Sequence, residues 1–176
     1  DGLTVAASSI NNDSAATNAG HVTVFDYDKS NKTWTQRGEI LFGENANDYS
    51  GVSIDLSGDG NIIAIGAAAN SDGGSAAGHV RVFEWDETNS EWKKRGVSLE
   101  GSEPGARFGN SVSLSKDGKI LAVGAIGFAI KDDFPGYVDV FEWDKTNNKW
   151  NQIGKSIEGE LDDDEFAKVA LSYDGR

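Results

Sequence analysis

The chain contains no cysteine, so disulfides, zinc–thiolate sites and thiol nucleophiles are excluded together, and cysteine usage says nothing of the redox compartment. It lacks cationic excess too: 16 Lys and Arg face 29 Asp and Glu, a formal net charge of −13. Such a surface repels nucleic acid and anionic lipid, so neither is an expected partner. No run approaches the ~18 consecutive apolar residues of a membrane span. The first residues carry neither a basic stretch nor a hydrophobic signal core, and the sequence predicts a soluble, mature-like segment without membrane insertion. Only 2 prolines stand against 22 glycines, and 38% of residues are hydrophobic, which suits one ordinary globular domain over residues 1–176 rather than a disordered chain.

What is present is repetition. Asp1-Gly2, Asp59-Gly60, Asp117-Gly118 and Asp174-Gly175 mark three copies of one unit, residues 1–58, 59–116 and 117–176. Gly20-His21-Val22-Thr23-Val24-Phe25 aligns with Gly78-His79-Val80-Arg81-Val82-Phe83 and with Gly136-Tyr137-Val138-Asp139-Val140-Phe141. Trp34, Trp92 and Trp150 each follow the aromatic residues Tyr27, Trp85 and Trp143 at the same distance.

Each unit parses into four short strands separated by turn residues. In the middle copy the first, over 61–67, is a continuous apolar run ending in small residues, the pattern of a strand buried on both faces. The second, over 79–85, places Val80 and Val82 on one face and Phe83 and Trp85 on the other. The third, over 92–95, is charged and suits a solvent-facing edge. The fourth, over 108–115, turns at Asp117-Gly118 into the next copy, since Asp-Gly supplies the positive φ of a tight hairpin. Sheets apolar on both faces must be sandwiched, and radial stacking of four-stranded blades achieves this. The predicted fold is an all-β propeller of three four-stranded antiparallel blades: a partial ring, either a segment of a larger propeller or half of a dimeric one. The first strand needs a partner strand from elsewhere, and both end blades are expected to expose apolar faces.

Phe108-Gly109-Asn110-Ser111-Val112-Ser113-Leu114-Ser115, followed by Ile120-Leu121-Ala122-Val123-Gly124-Ala125-Ile126, resembles the FG-GAP repeat of integrin-α-like propellers. The copies match unequally: the first has Tyr49-Ser50-Gly51 and the last Phe166-Ala167 where Phe-Gly is expected. The resemblance implies an extracellular or cell-surface protein and, in many such repeats, a calcium loop of alternating aspartates. The short links 55–60 and 115–118 lack the closely spaced oxygen ligands that calcium needs, so no metal and no other cofactor is expected here.

Candidate sites are few. His21 and His79 share a repeat position with Tyr137, and no nucleophile motif accompanies either, so both are read as strand-initiating scaffold residues. Asp162-Asp163-Asp164-Glu165 offers carboxylates to calcium or to acid–base chemistry, but reads as a solvated loop. The links between first and second strands, 8–19, 68–77 and 126–135, vary most among the copies, which makes them the expected ligand surface, with Phe128, Asp132, Asp133 and Phe134 as the contacts. Asn12 and Asn31 begin N-glycosylation sequons. The functional expectation is a non-catalytic extracellular or cell-surface module for adhesion or surface assembly, binding a protein or glycan ligand or further blades through its loops. The alternative is a carbohydrate-active or other hydrolytic propeller enzyme using loop carboxylates, and a third is a calcium-stabilised adhesion module; architecture alone does not choose.

Overall fold

The computed structural model of the protein describes residues 2–127, 135–161 and 166–175. These residues form three antiparallel sheets and no helix. The first sheet holds β1 (Thr4–Ser9), β2 (His21–Asp28), β3 (Thr33–Gln36) and β4 (Leu41–Phe42). The second holds β5 (Ser53–Leu56), β6 (Ile62–Ala67), β7 (His79–Asp86), β8 (Glu91–Lys94) and β9 (Leu99–Glu100). The third holds β10 (Phe108–Leu114), β11 (Ile120–Ala125), β12 (Tyr137–Asp144), β13 (Lys149–Gln152) and β14 (Ile157–Glu158). The architecture is all-β and propeller-like.

The expected four strands per blade need correction. In the second sheet the outermost position, expected as the third strand of the repeat, is filled by two pieces, β8 against one half of β7 and β9 against the other. The chain leaves the ladder at Gly96, whose φ of +81° breaks the extended path between them. The same break divides β3 from β4 and β13 from β14. The sheets also straddle the sequence repeats. β5 comes before the Asp59-Gly60 turn yet pairs with β6 after it, and β10 likewise pairs with β11 across Asp117-Gly118.

Those turns are closed by their own side chains. Asp59 Oδ1 accepts from Ser57 Oγ at 2.6 Å and from the Asn61 amide at 3.0 Å. Asp117 repeats the pattern with Ser115 and Lys119, and its neighbour Lys119, with Nζ 2.9 Å away, is the main reason its carboxyl is pulled down to about 2. Both carboxylates serve the hairpin.

The two-faced burial of the first strand is realised in β6, where all six residues are buried. Ile63 and Ile65 pack with Val22, Val24 and Leu41 of the first sheet. Ile62 and Ala64 pack with Val112, Leu114, Leu121 and Val123 of the third. One strand therefore contributes to two cores, and neighbouring sheets cannot separate without exposing both.

Contact between sheets is closest where β5, β10 and residues 166–172 run side by side. Gly66 on β6 faces Gly109 at the start of β10, and Gly124 faces Ala167; a Cβ on either Gly66 or Gly124 would fall well inside van der Waals contact with a backbone carbonyl. Along these strands side chains also bond across to the neighbouring backbone. Ser53 Oγ donates to Gly109 O at 2.7 Å, and Asp55 accepts from the Leu114 amide at 2.7 Å. Ser111 and Ser113 occupy the same places one repeat on and accept from the Val169 and Leu171 amides. The alternating Ser-x-Ser of the fourth strand is a row of inter-sheet hydrogen bonds.

At the outer rim a second device recurs. Trp85 and Trp92 are cross-strand partners with ring centroids 5.3 Å apart, and Trp143 and Trp150 repeat this at 5.2 Å. Each pair receives an arginine from the preceding sheet. Arg37 lies 4.7 Å over Trp85 while its carbonyl accepts from Trp92 Nε1, and Arg95 does the same for Trp143 and Trp150. Trp92 and Trp150, on the strand expected to face solvent, are consequently only 5% and 8% exposed, whereas Trp34, on the first described sheet, is 49% exposed.

Candidate functional site

Between the first and second sheets lies a polar cluster whose members come from distant parts of the chain. β7 opens with His79, whose backbone is possible there because Gly78 before it, at φ +78°, lets the strand start against the Phe108 backbone. Ala67 lies beside His79 on β6, and Glu100 faces it from β9. Two loops cover this strand end. One, residues 43–52, brings Glu44 and Asp48, and the other, residues 68–78, brings Asn70 and Asp72.

Both loops are built to hold their carboxylates still. Asp48, itself buried, accepts from the Asn45 amide at 2.8 Å and from Asn70 Nδ2 at 3.0 Å. The fully buried Asn70 also donates to Asp72 Oδ2 and accepts from the Asp72 amide, while Asn45 Nδ2 reaches across from the other loop to the same carboxylate. Arg81, two residues along β7, ties the sheets together by donating to Phe42 O at 2.7 Å and Ser50 Oγ at 3.0 Å.

Two imidazoles hold buried nitrogens without a partner, His21 at Nδ1 alone and His79 at both positions, and His79 is the extreme case. It is 0% exposed, and neither ring nitrogen has a hydrogen-bond partner. Buried polar groups are nearly always paired. Its Nδ1 stands 4.0 Å from Glu44 Oε2 and 3.9 Å from Glu100 Oε1, too far for a hydrogen bond. Burial, helped by the charge of Arg81, pushes the His79 pKa down and keeps the imidazole neutral. Burial, helped by the charges of Asp72 and Glu44, pushes the Glu100 carboxyl up.

The repeat supplies an internal control. At the junction of the second and third sheets Tyr137 replaces His79, Ser102 replaces Glu44 and Asp139 replaces Arg81, and a cavity of about 270 Å³ is lined by Ser102, Tyr137 and Glu158. There the polar atoms meet each other, Ser102 Oγ lying 3.4 Å from Tyr137 OH. On the first sheet His21 packs edge-on against Phe42 with 5.8 Å between centroids. The scaffold does not require the charged set at the first junction.

The loop residues Phe128, Asp132, Asp133 and Phe134, and the acidic run 162–165, lie outside the described residues. Asn12 is half-buried in a turn, its Oδ1 accepting from the Ser14 amide. Asn31 is exposed at the tip of the β2–β3 hairpin, its Nδ2 donating to Asp28 Oδ2 at 2.6 Å. Asn89 and Asn147 make the same bond to Asp86 and Asp144, so this asparagine closes every such hairpin. Among the described residues, no helix is long and apolar enough to cross a membrane.

No protein-family model and no curated protein matches the sequence. Solved structures do. A crystal structure described as a "putative 6-phosphogluconolactonase" from Bacteroides fragilis superposes over 89% of this chain with a TM-score of 0.55 and 21% identity. A structure described in the same words, from Bacteroides uniformis, covers 82% with a TM-score of 0.54 and 14% identity. This chain spans 40% and 36% of their lengths. At such identities the likeness establishes the fold.

The FG-GAP resemblance is therefore corrected: no model of that family matches, and the similar structures carry lactonase names. Its motif has a simpler cause. The glycine of Phe108-Gly109 and that of Gly66-Ala67 are the two backbones in contact between sheets, so closely stacked blades favour the pattern whatever the function. The expectation of a non-catalytic adhesion or surface-assembly module is corrected too, because the similar structures carry the names of hydrolytic enzymes. The hydrolytic alternative fits the neighbours better.

Proposed function

We propose that this chain is a section of a hydrolytic propeller enzyme that opens sugar lactones or related esters at the junction of its first two sheets. The observation that carries this reading is His79, buried with two unpaired ring nitrogens beneath the carboxylates of Glu44, Asp72 and Glu100. The lactonase names of the structural neighbours support it and suggest the substrate class. In such a reaction the oxygen of water bonds to the acyl carbon and the ring C–O bond breaks. The proton lost by water ends on the released hydroxyl. The cluster's part is to hold and polarise that water, with Glu100 beside His79 as the carboxylate nearest to it.

The test is proton release at constant pH on a panel of sugar lactones, 6-phosphogluconolactone included, with aryl esters and aryl glycosides alongside. Lactone opening should exceed the buffer rate, and Glu44→Gln and Glu100→Gln should each lower kcat roughly a hundredfold or more. Folded protein that matches buffer on every substrate would sink the reading.

The sequence units 1–58, 59–116 and 117–176 belong in this proposal to one propeller segment that further blades complete, from the same or another chain. Trp34 and Tyr173, 49% and 70% exposed at opposite ends of the arc, support it as apolar surfaces awaiting a neighbour. Native mass of the assembled particle should exceed that of three blades; a lone 18.7 kDa particle would contradict it.

A further inference from the structure

We propose that Glu44, Asp72 and His79 bind one divalent transition-metal cation of the zinc class. One donor atom from each residue lies within 4.8 Å of the others, two exposed carboxylates over a buried imidazole. A tetrahedral site with bonds of roughly 2.1 Å sets its donors about 3.4 Å apart. The His79 Nδ1 to Glu44 Oε2 separation of 4.0 Å needs to close by only a few tenths of an ångström, a movement within reach of a surface glutamate.

Clustered acids alone would not carry this. The second observation is the imidazole, which has lost its water on burial and found no protein donor or acceptor in exchange. A cation supplies the missing partner, since an imidazole nitrogen is a metal ligand. Charge points the same way. The cluster gathers four acids, Glu44, Asp48, Asp72 and Glu100, and the two cations beside Glu44, Arg81 and Lys94, both sit on its Oε1, each at 3.8 Å. Oε2, the oxygen on the His79 side, is left for the metal. Asp72 is oriented by the amides of Asn45 and Asn70, the support that ligating carboxylates typically have. One imidazole with two carboxylates selects zinc, manganese or iron over calcium, which takes oxygen donors.

Three protein ligands leave a fourth position for water, the arrangement of catalytic rather than structural zinc. That use of the site rests on the hydrolase reading above; binding does not. The second junction, with Tyr137 and Ser102 in place of His79 and Glu44, cannot form the same set.

The experiment is zinc titration of chelator-stripped protein by calorimetry, with thermal melts and cobalt absorption in parallel. One equivalent of Zn²⁺ should bind, Co²⁺ should give the visible bands of a low-symmetry site, and zinc at a hundredfold excess over Kd should raise Tm by roughly 5–10 °C. Glu44→Gln and Asp72→Asn change exposed side chains and should fold, yet weaken zinc at least tenfold, while Glu158→Gln at the other junction should not. Absence of stoichiometric binding, or wild-type affinity in both ligand variants, would overturn the site. Zinc binding without lactone hydrolysis would remove only the hydrolase reading; hydrolysis undiminished in chelator-stripped protein would remove only the metal's part in catalysis.

Discussion

Valine at Gly66 should cost about 3 kcal/mol or more and shift the urea midpoint accordingly, an overpacking effect at the large end of its range. The backbone at Gly66 is ordinary strand, so the penalty does not come from φ. It comes from the Gly109 carbonyl, which occupies the space a side chain would take, and from Ser53, whose Oγ bonds that same carbonyl. Relief would require β10 to move away from β6, which would open the core shared by Ile62, Val112 and Leu121. Gly124 faces Ala167 in the same way and should respond alike. Gly154, with nothing within 4 Å of the position its Cβ would take, is the control for crowding. Its φ of +76° adds backbone strain, so alanine there should destabilise by ~1 kcal/mol, without the steric component. If Gly66→Val melts with wild type, the sheets are not in the contact described.

Trp150→Ala should destabilise by about 4 kcal/mol, and Trp34→Ala by far less, although the two residues hold the same position in the repeat. Trp150 has lost nearly all its accessible surface, donates to Arg95 O at 3.1 Å and stacks beneath the Arg95 guanidinium. Trp34 keeps its partner Tyr27, 5.1 Å away, but has no arginine above it among the described residues. Chemical denaturation of the two variants under one set of conditions measures the difference. Equal losses would mean that the rim tryptophans act only within their own hairpins.

Much of the fold was legible because one period governs it. Strand positions followed from alternation and Asp-Gly turns, and the burial of β6 on both faces followed from its unbroken apolar run. The split of the third strand was not legible, because Gly96 after Arg95 reads equally well as the end of an edge strand. What covers Trp92 was not legible either: its neighbours Lys93 and Lys94 are charged, and the arginine over it comes from 55 positions earlier, Arg37.

The candidate site was hidden by the repeat that revealed the fold. His79 shares its position with His21 and Tyr137, so comparison among copies marks it as scaffold. Its distinguishing partners lie where the copies differ: Glu44 aligns with Ser102, and Arg81 with Thr23 and Asp139. Asking where charged residues replace neutral ones at aligned positions would have drawn attention to Glu44 and Arg81. Their meeting with Asp72 and Glu100 depends on two loops from different sheets, which no local pattern encodes.

Because β5 and β10 cross the Asp-Gly turns to join the following sheet, each copy hands its last strand onward like a clasp. Scissors applied at residues 59 or 117 would sever the clasp from the sheet it fastens. Segments 43–52 and 101–107 are the natural seams for grafting or shuffling whole sheets. The first of these seams also carries Glu44, so a graft made there would transplant one of the three proposed metal ligands along with the blade.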